Sequence, residues 1–344
     1  MRQLKADELS RLRKILVIQL GPYGDALLTT SYFKALKRRL PESRLFYLLK
    51  EPFDTIIRDH PFVDAVIAIR KREGLGYALE RLKILSAIRA ERFDLVIDQQ
   101  NKPSSQQLTL LSGARYRLGY TDARLSWAYN LKAGRGPLRY SAGRKFDILG
   151  PLGIEEEEYR LYYPLHTEAK RYITAWLDEA GCEPKRSVCI SPGSPVRKKR
   201  WRPENFAGLA DSIQKLTGNR TIILWGPGEA GDVEQVREAM NTEPVVAPPT
   251  DIHQAAALVK MCRMLICNDG GLNHIAAALG TPTLAIFGTT DPTVWSPASV
   301  FDSHHHLYKP GFDSAADDSF GISVDEAFAK VKEILTLPRG DHET

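Results

Sequence analysis

The sequence predicts an α/β protein of two doubly wound domains, each a mostly parallel sheet with helices on both faces. Three observations predict this. Short apolar runs of strand length alternate with helical patterns along most of the 344 residues. The runs end in turns rich in Gly, Asn and Asp that open directly into helices. The plan strand, Gly turn, helix begins near residue 14 and begins again near residue 187, with weak patterning between.

The first half opens with a basic amphipathic lead-in over residues 1–13, read as a solvated first helix or as a segment lying on a membrane face. Strands are expected at residues 14–20, 44–49, 65–69 and 93–98, with a short strand at 116–119. The helices expected between them cover 26–40, a short piece near 53–58, 75–90 and 104–111. From 121 to about 165 the periodicity weakens, and the acidic run 155–158 reads as a solvated face. The boundary is placed near residue 166, giving domains 1–166 and 167–344. In the second half, strands are expected at 187–191, 221–225, 264–267 and 283–287, and helices at 168–180, 202–216, 229–240, 251–259 and 272–279. A closing helix at 323–335 has the option of packing back on the first domain. His304, His305 and His306 read as a solvated polar loop, because no acidic or Cys partner accompanies them.

Composition narrows the function. A net charge of +5, from 47 basic and 42 acidic residues, suits an anionic small ligand and is too mild and dispersed for nucleic acid. The start of the chain is polar and unlike a secretory signal, and no apolar run approaches bilayer length, so a cytoplasmic protein is expected. Cys189 and Cys267 lie inside apolar runs and read as buried thiols. The turn Gly21-Pro22-Tyr23-Gly24 does not meet the dinucleotide fingerprint G-x-G-x-x-G, the chain has no Walker pattern, and no metal site is expected.

Residues 264–291 carry the clearest chemistry. Strand, Asn268-Asp269-Gly270-Gly271 turn and helix would aim backbone N–H groups of Gly270, Gly271 and Leu272 at a phosphate or diphosphate, with His274 able to donate as well. A plain βα turn with a surface His explains the same residues.

Taken with four other blocks, this stretch resembles glycosyltransferase family nine, whose best-known members are the heptosyltransferases of lipopolysaccharide core assembly. The blocks are VIQLGPYGDALLTT, DLVIDQQ, SPGSPVRKKRWRPENF, WGPGE and CNDGGLNHIAAALGTPTLAIFGTTDP, in the family's order over most of residues 14–297. The resemblance implies the GT-B fold, two Rossmann-like domains facing a central cleft. It implies an inverting, metal-independent transfer with a nucleotide-diphosphate sugar, typically ADP-heptose, as co-substrate and no further cofactor. The acceptor implied is a lipid-linked saccharide of the lipopolysaccharide core or a related surface glycan. A peripheral contact with the cytoplasmic face of the inner membrane is compatible with it.

The same resemblance implies roles for particular residues. Asp25 matches the carboxylate that takes the acceptor's proton; by itself it reads as an N-cap or first-turn acid. Lys199, two residues before Trp201, matches the cation that stabilises the departing diphosphate, whereas Lys198 and Arg200 read as a solvated basic loop. Ser194 is read as a phosphate contact or a turn former, and Glu229 as a contact to the donor's ribose or sugar or a first-turn acid. Asp269 to His274 form the diphosphate cradle, and Thr290 lines the next turn. Three departures stand out: Gly270 replaces the family's usual Ser or Thr, no His lies near Tyr140, and the tail lacks the cysteine pairs of some members. They leave open another donor, an epimerase on the same fold, or a non-catalytic nucleotide-sugar-binding paralogue.

Overall fold

The structure is a computed structural model, and it describes residues 2–336. The chain divides into two compact units, with the break after Pro164. Each is built on one six-stranded sheet.

In the first unit the strands are β1 (Lys14–Ile18), β2 (Arg44–Lys50), β3 (Ala65–Ile69), β4 (Leu95–Asp98), β5 (Tyr116–Tyr120) and β6 (Leu131–Ala133), ordered β3-β2-β1-β4-β5-β6. All neighbours pair in parallel; Ile15, for example, faces Leu45 on one side and Leu95 on the other. A sheet buried on both faces needs near-continuous apolar strands, and Ile15 to Ile18 and Leu45 to Leu49 meet that need. On one face, Leu16, Ile18, Phe46, Leu48 and Val96 pack under Ile84 and Ile88 of the helix Gly74–Glu91 and Leu108 of the helix Pro103–Leu111. β6 lies in the stretch of weak periodicity and has only three residues, too few for alternation to show.

The second unit repeats the plan with β7 (Val188–Ser191), β8 (Thr221–Ile223), β9 (Val245–Val246), β10 (Met264–Asn268), β11 (Thr283–Ile286) and β12 (His304–Leu307), ordered β12-β11-β10-β7-β8-β9. Counted from its own first strand, this is the same order as in the first unit, that of the dinucleotide-binding sheet. The core gathers Ile190, Ile223, Ile266 and Ile286 from the sheet with Phe206, Leu209 and Ile213 from the helix Pro203–Thr217. The closing helix Val324–Thr336 contributes Ala327, Val331 and Ile334 to this core.

Several expectations are corrected. The His304–His306 run is no loop: it is the parallel edge strand β12, and His304 is buried with Nδ1 2.8 Å from Thr283 Oγ1 on β11. An imidazole that shares a proton with a neighbouring hydroxyl can occupy a strand position meant for an apolar residue. The lead-in does not offer its apolar side to solvent, because Leu4, Leu9 and Leu12 are buried within the first unit. The helix expected at 26–40 is broken into Tyr23–Thr29, a 3-10 turn at Thr30–Tyr32, and Phe33–Arg39. The piece near 53–58 is a 3-10 turn, Thr55–Ile57. All four cysteines are buried free thiols.

Candidate functional site

Each sheet reverses its winding direction beside its first strand, between β1 and β4 and between β7 and β10. The loops leaving those strands diverge there, which opens a crevice at their carboxyl ends. The candidate residues lie on these loops.

In the first unit, β1 runs into the helix Tyr23–Thr29, and Asp25 is its third residue. The preceding loop is held by side chains: Gln100 Oε1 accepts from Leu20 N–H at 2.7 Å and Gln19 Oε1 from Gly21 N–H at 3.1 Å. Gly21 is required by closeness, since a Cβ there would lie 2.9 Å from Asp25 Cβ and 3.0 Å from Oδ2. The Asp25 side chain keeps 30% of its surface exposed, and its Oδ1 is 3.3 Å from Lys145 Nζ. Burial holds the Lys145 ammonium below the ordinary lysine range, the negative Asp25 opposing that shift. Arg135 and Arg144 are close enough for their charges to act on Lys145 too.

Asp98, at the end of β4, is fully buried. Its carboxylate accepts from Tyr129 OH at 2.8 Å and Asn101 N–H at 3.0 Å. Burial pushes its pKa up to about 6 against these hydrogen bonds. It fixes the loop and touches no solvent. A cavity of about 220 Å³ opens at the strand ends, lined by Leu20, Lys50, Tyr77, Arg81, Gln100 and Ser104 among others.

In the second unit, Asn268 at the end of β10 clamps two loops. Its Nδ2 donates to Pro192 O at 2.7 Å, and its Oδ1 accepts from Trp201 N–H at 2.9 Å. Trp201 is wholly buried and donates from Nε1 to Ser319 O. This anchors the short 3-10 turn Arg197–Lys199, and Lys199 Nζ reaches Asp269 Oδ2 at 2.5 Å. The same oxygen accepts from Thr290 Oγ1 at 2.7 Å. Lys199, Asp269 and Thr290 therefore form one cluster, with the buried Asp269 at its centre and Lys199 partly exposed.

Gly270 caps the helix Gly271–Leu279 with no side-chain acceptor, so nothing of its own side chain competes for the N–H groups of the first turn. Gly271 and Leu272 are half-buried and His274 is buried, its ring 6.4 Å from that of Trp295 rather than on the surface. Asn273 is wholly buried, and both polar atoms of its side chain lack a hydrogen-bond partner among the described residues.

Ser194 is buried and its Oγ accepts from Val196 N–H at 3.3 Å, a turn contact. Glu229 is the cap residue of the helix Ala230–Ala239; its Oε2 accepts from Gly226 N–H at 2.7 Å, and the carboxylate lies against Gly193. Arg200 corrects its expectation as a solvated residue. It bonds Ser194 O at 2.7 Å and Asp232 Oδ1 at 2.6 Å, stapling the loop to the next helix. Lys145 and Asn268 carry this geometry and were not singled out from the sequence. Lys145 lies 120 residues from Asp25, in the weakly patterned stretch, and Asn268 reads as an ordinary turn former.

The larger surface hollow, about 720 Å³ beside Arg202, Glu204 and Asp318, contains none of the candidate residues. No group of three or more His, Cys, Asp or Glu side chains is arranged to hold a metal among the described residues. None of the described helices is long and apolar enough to cross a membrane.

Two six-stranded parallel sheets of this order, with polar residues at both switch points, define a GT-B protein with two Rossmann-like domains. The chain belongs to glycosyltransferase family 9 (heptosyltransferase), which matches residues 81–309, and it is a glycosyltransferase. It is similar to lipopolysaccharide heptosyltransferase 3 of Escherichia coli, 24% identical over 291 residues, which cover 80% of this chain and 84% of the relative. The fold matches that of a family 9 glycosyl transferase from Veillonella parvula DSM 2008 with a TM-score of 0.84, at 23% identity, over 95% of this chain and 98% of that one. It also matches the E. coli heptosyltransferase WaaC with ADP, TM-score 0.74, at 20% identity over 93% and 99%.

Proposed function

We propose that the protein moves a heptose from ADP-heptose onto a lipid-linked saccharide acceptor of the lipopolysaccharide core, with inversion and without a metal, at the cytoplasmic face of the inner membrane. The observation that carries the reading is a pairing of opposite charges at equivalent places. A partly exposed carboxylate, Asp25, stands at the switch point of one sheet, and a cation, Lys199, is fixed at that of the other. The names of the relatives, and the ADP in the WaaC structure, support the donor.

In this reading Asp25 removes the proton of the acceptor hydroxyl as its oxygen attacks the anomeric carbon. The bond from that carbon to the diphosphate breaks, and its electron pair stays on the phosphate oxygen. Lys199 and the N–H groups at Gly270, Gly271 and Leu272 meet the growing charge, with His274 behind them. Asp269 and Thr290 hold Lys199 in place, and Glu229 and the Ser194 turn shape the nucleoside end. Lys145, Arg135 and Arg144 give the acceptor side a positive surrounding that suits an acidic sugar.

Transfer from ADP-heptose to a lipid-linked core acceptor in the presence of a chelator, with the new anomeric centre assigned by NMR, tests this. Activity that requires added metal, or retained configuration, would remove the mechanism. Gly270 favours one second reading, a different nucleotide sugar, and stabilisation by UDP or GDP sugars but not by ADP compounds would select it.

A further inference from the structure

The helix Gly74–Glu91 is apolar on two faces. Its inward residues Ile84 and Ile88 are buried in the first unit's core. Its outward residues Leu75, Leu79 and Leu82 are 85%, 67% and 63% exposed. Their spacing, i, i+4 and i+7, places them in one stripe along the helix. Folding does not account for three leucines held in water side by side, and contiguous exposed apolar surface marks a contact.

Charge says with what. Residues 70–92 hold seven Lys and Arg against three Glu, a net +4 in a chain whose total is +5. Lys71, Arg72, Lys83 and Arg89 are exposed and stand in no ion pair among the described residues. Two of the glutamates are engaged elsewhere, Glu91 with Lys14 and Glu80 with the Arg70 N–H. A second copy meeting this face through a two-fold axis would set one positive surface against another. An apolar stripe bordered by cations fits the headgroup layer of an anionic bilayer, where leucines enter the acyl boundary and lysines and arginines meet lipid phosphates.

We propose that this helix lies in the surface of an anionic phospholipid bilayer, with Leu75, Leu79 and Leu82 inserted. The other side of the helix supplies Tyr77 and Arg81 to the 220 Å³ cavity at the strand ends. The bilayer would then lie about one helix diameter, roughly 10 Å, from that cavity. A lipid-linked acceptor would arrive at such a surface, and on this point alone the inference rests on the proposed function.

The test is co-sedimentation of the full chain with vesicles of phosphatidylcholine, with and without phosphatidylglycerol. The chain is expected to bind only the anionic vesicles. Leu75→Ser/Leu79→Ser/Leu82→Ser should weaken binding roughly a hundredfold, and Lys83→Ser or Arg89→Ser roughly fivefold each. Because the four native cysteines are buried, Leu79→Cys can carry an environment-sensitive fluorophore, whose emission should shift to the blue on anionic vesicles. Equal binding to neutral vesicles, a triple variant that binds like the parent, or an unshifted fluorophore would overturn the proposal. So would a dimer abolished by the same substitutions in a chain that ignores vesicles. ADP binding, measured on the same variants, should not change. A parent chain that ignores anionic vesicles while binding ADP confines the failure to this inference, and a parent chain that binds them without transferring sugar confines it to the proposed function.

Discussion

Replacing Gly193 by alanine puts a methyl group where the Glu229 carboxylate now sits. A Cβ on Gly193 would stand 2.2 Å from Glu229 Cδ and 2.4 and 2.6 Å from the two carboxylate oxygens. Non-bonded carbons are comfortable only near 3.5–4.0 Å, so one partner must move. The carboxylate ends a flexible side chain, so it moves and the backbone stays. Leaving costs Glu229 its bond from Gly226 N–H, 2.7 Å long. A hydrogen bond to a charged group contributes about 1.5–3 kcal/mol. If the same carboxylate holds a hydroxyl of the donor, Gly193→Ala should weaken ADP binding by a similar amount, about 10- to 150-fold. Calorimetric titration with ADP reads this directly. Glu229→Gln should lose about as much, and the double variant should bind no worse than the weaker single one, because both changes remove one group from one place. Unchanged ADP affinity in Gly193→Ala, or losses that add fully, would refute the reasoning.

Three further predictions concern the second unit. Lys199→Met should lower kcat by roughly 10²- to 10³-fold, the usual cost of removing a donor aimed at developing charge; Asp269→Asn should follow it in steady-state kinetics, since Asp269 holds Lys199 at 2.5 Å, and full activity in either would contradict the cluster's role. Gly270→Ser should fold normally, because a Cβ there has Asn268 O at 3.9 Å as its nearest neighbour and the backbone is extended. Its hydroxyl, placed beside the helix N-terminus, should tighten ADP binding by about 2- to 10-fold; no gain would show that position 270 does not reach the phosphates. Burial holds His304 at about 3 instead of 6.5, so the unfolded chain binds its proton first. The stability this histidine supplies is complete above pH 6.5 and falls by roughly 1.4 kcal/mol per pH unit below it. Urea unfolding at pH 7 and pH 5 should therefore separate the parent from His304→Gln more at pH 7, and a gap independent of pH would contradict this. Asp98, raised to about 6, titrates in the opposite sense and drops out of that comparison.

Much of this architecture is visible in the sequence because buried parallel strands must be continuously apolar. Residues 14–18, 264–268 and 283–286 announce themselves in that way, and the Gly turns after them mark where the helices start. β9 and β6 have two and three residues, too short for any period. β12 is written in histidines, and nothing local distinguishes His304 bonded to Thr283 from a histidine in a loop. Asp25, Lys199, Asp269 and Thr290 could be singled out because strand, turn and helix place them at strand ends. Their partnerships could not. Asp269 reads as part of an anion cradle, yet its carboxylate is taken up by Lys199 and Thr290. Lys145 meets Asp25 only because a 3-10 segment, Lys145–Leu152, returns it across the first unit, and no spacing rule reaches over 120 residues. Arg200 is one of four consecutive basic residues, and only the fold sets its ion pair to Asp232 apart from the exposed Lys198.

The division of labour between Asp25 and the nucleotide-holding loops is best tested by a single-turnover transfer assay on Asp25→Asn, run beside ADP titration of the same preparation. The account predicts ADP affinity within about twofold of the parent and transfer slowed by at least roughly 10³-fold, within the reach of a lost general base. Transfer within about tenfold of the parent would contradict it.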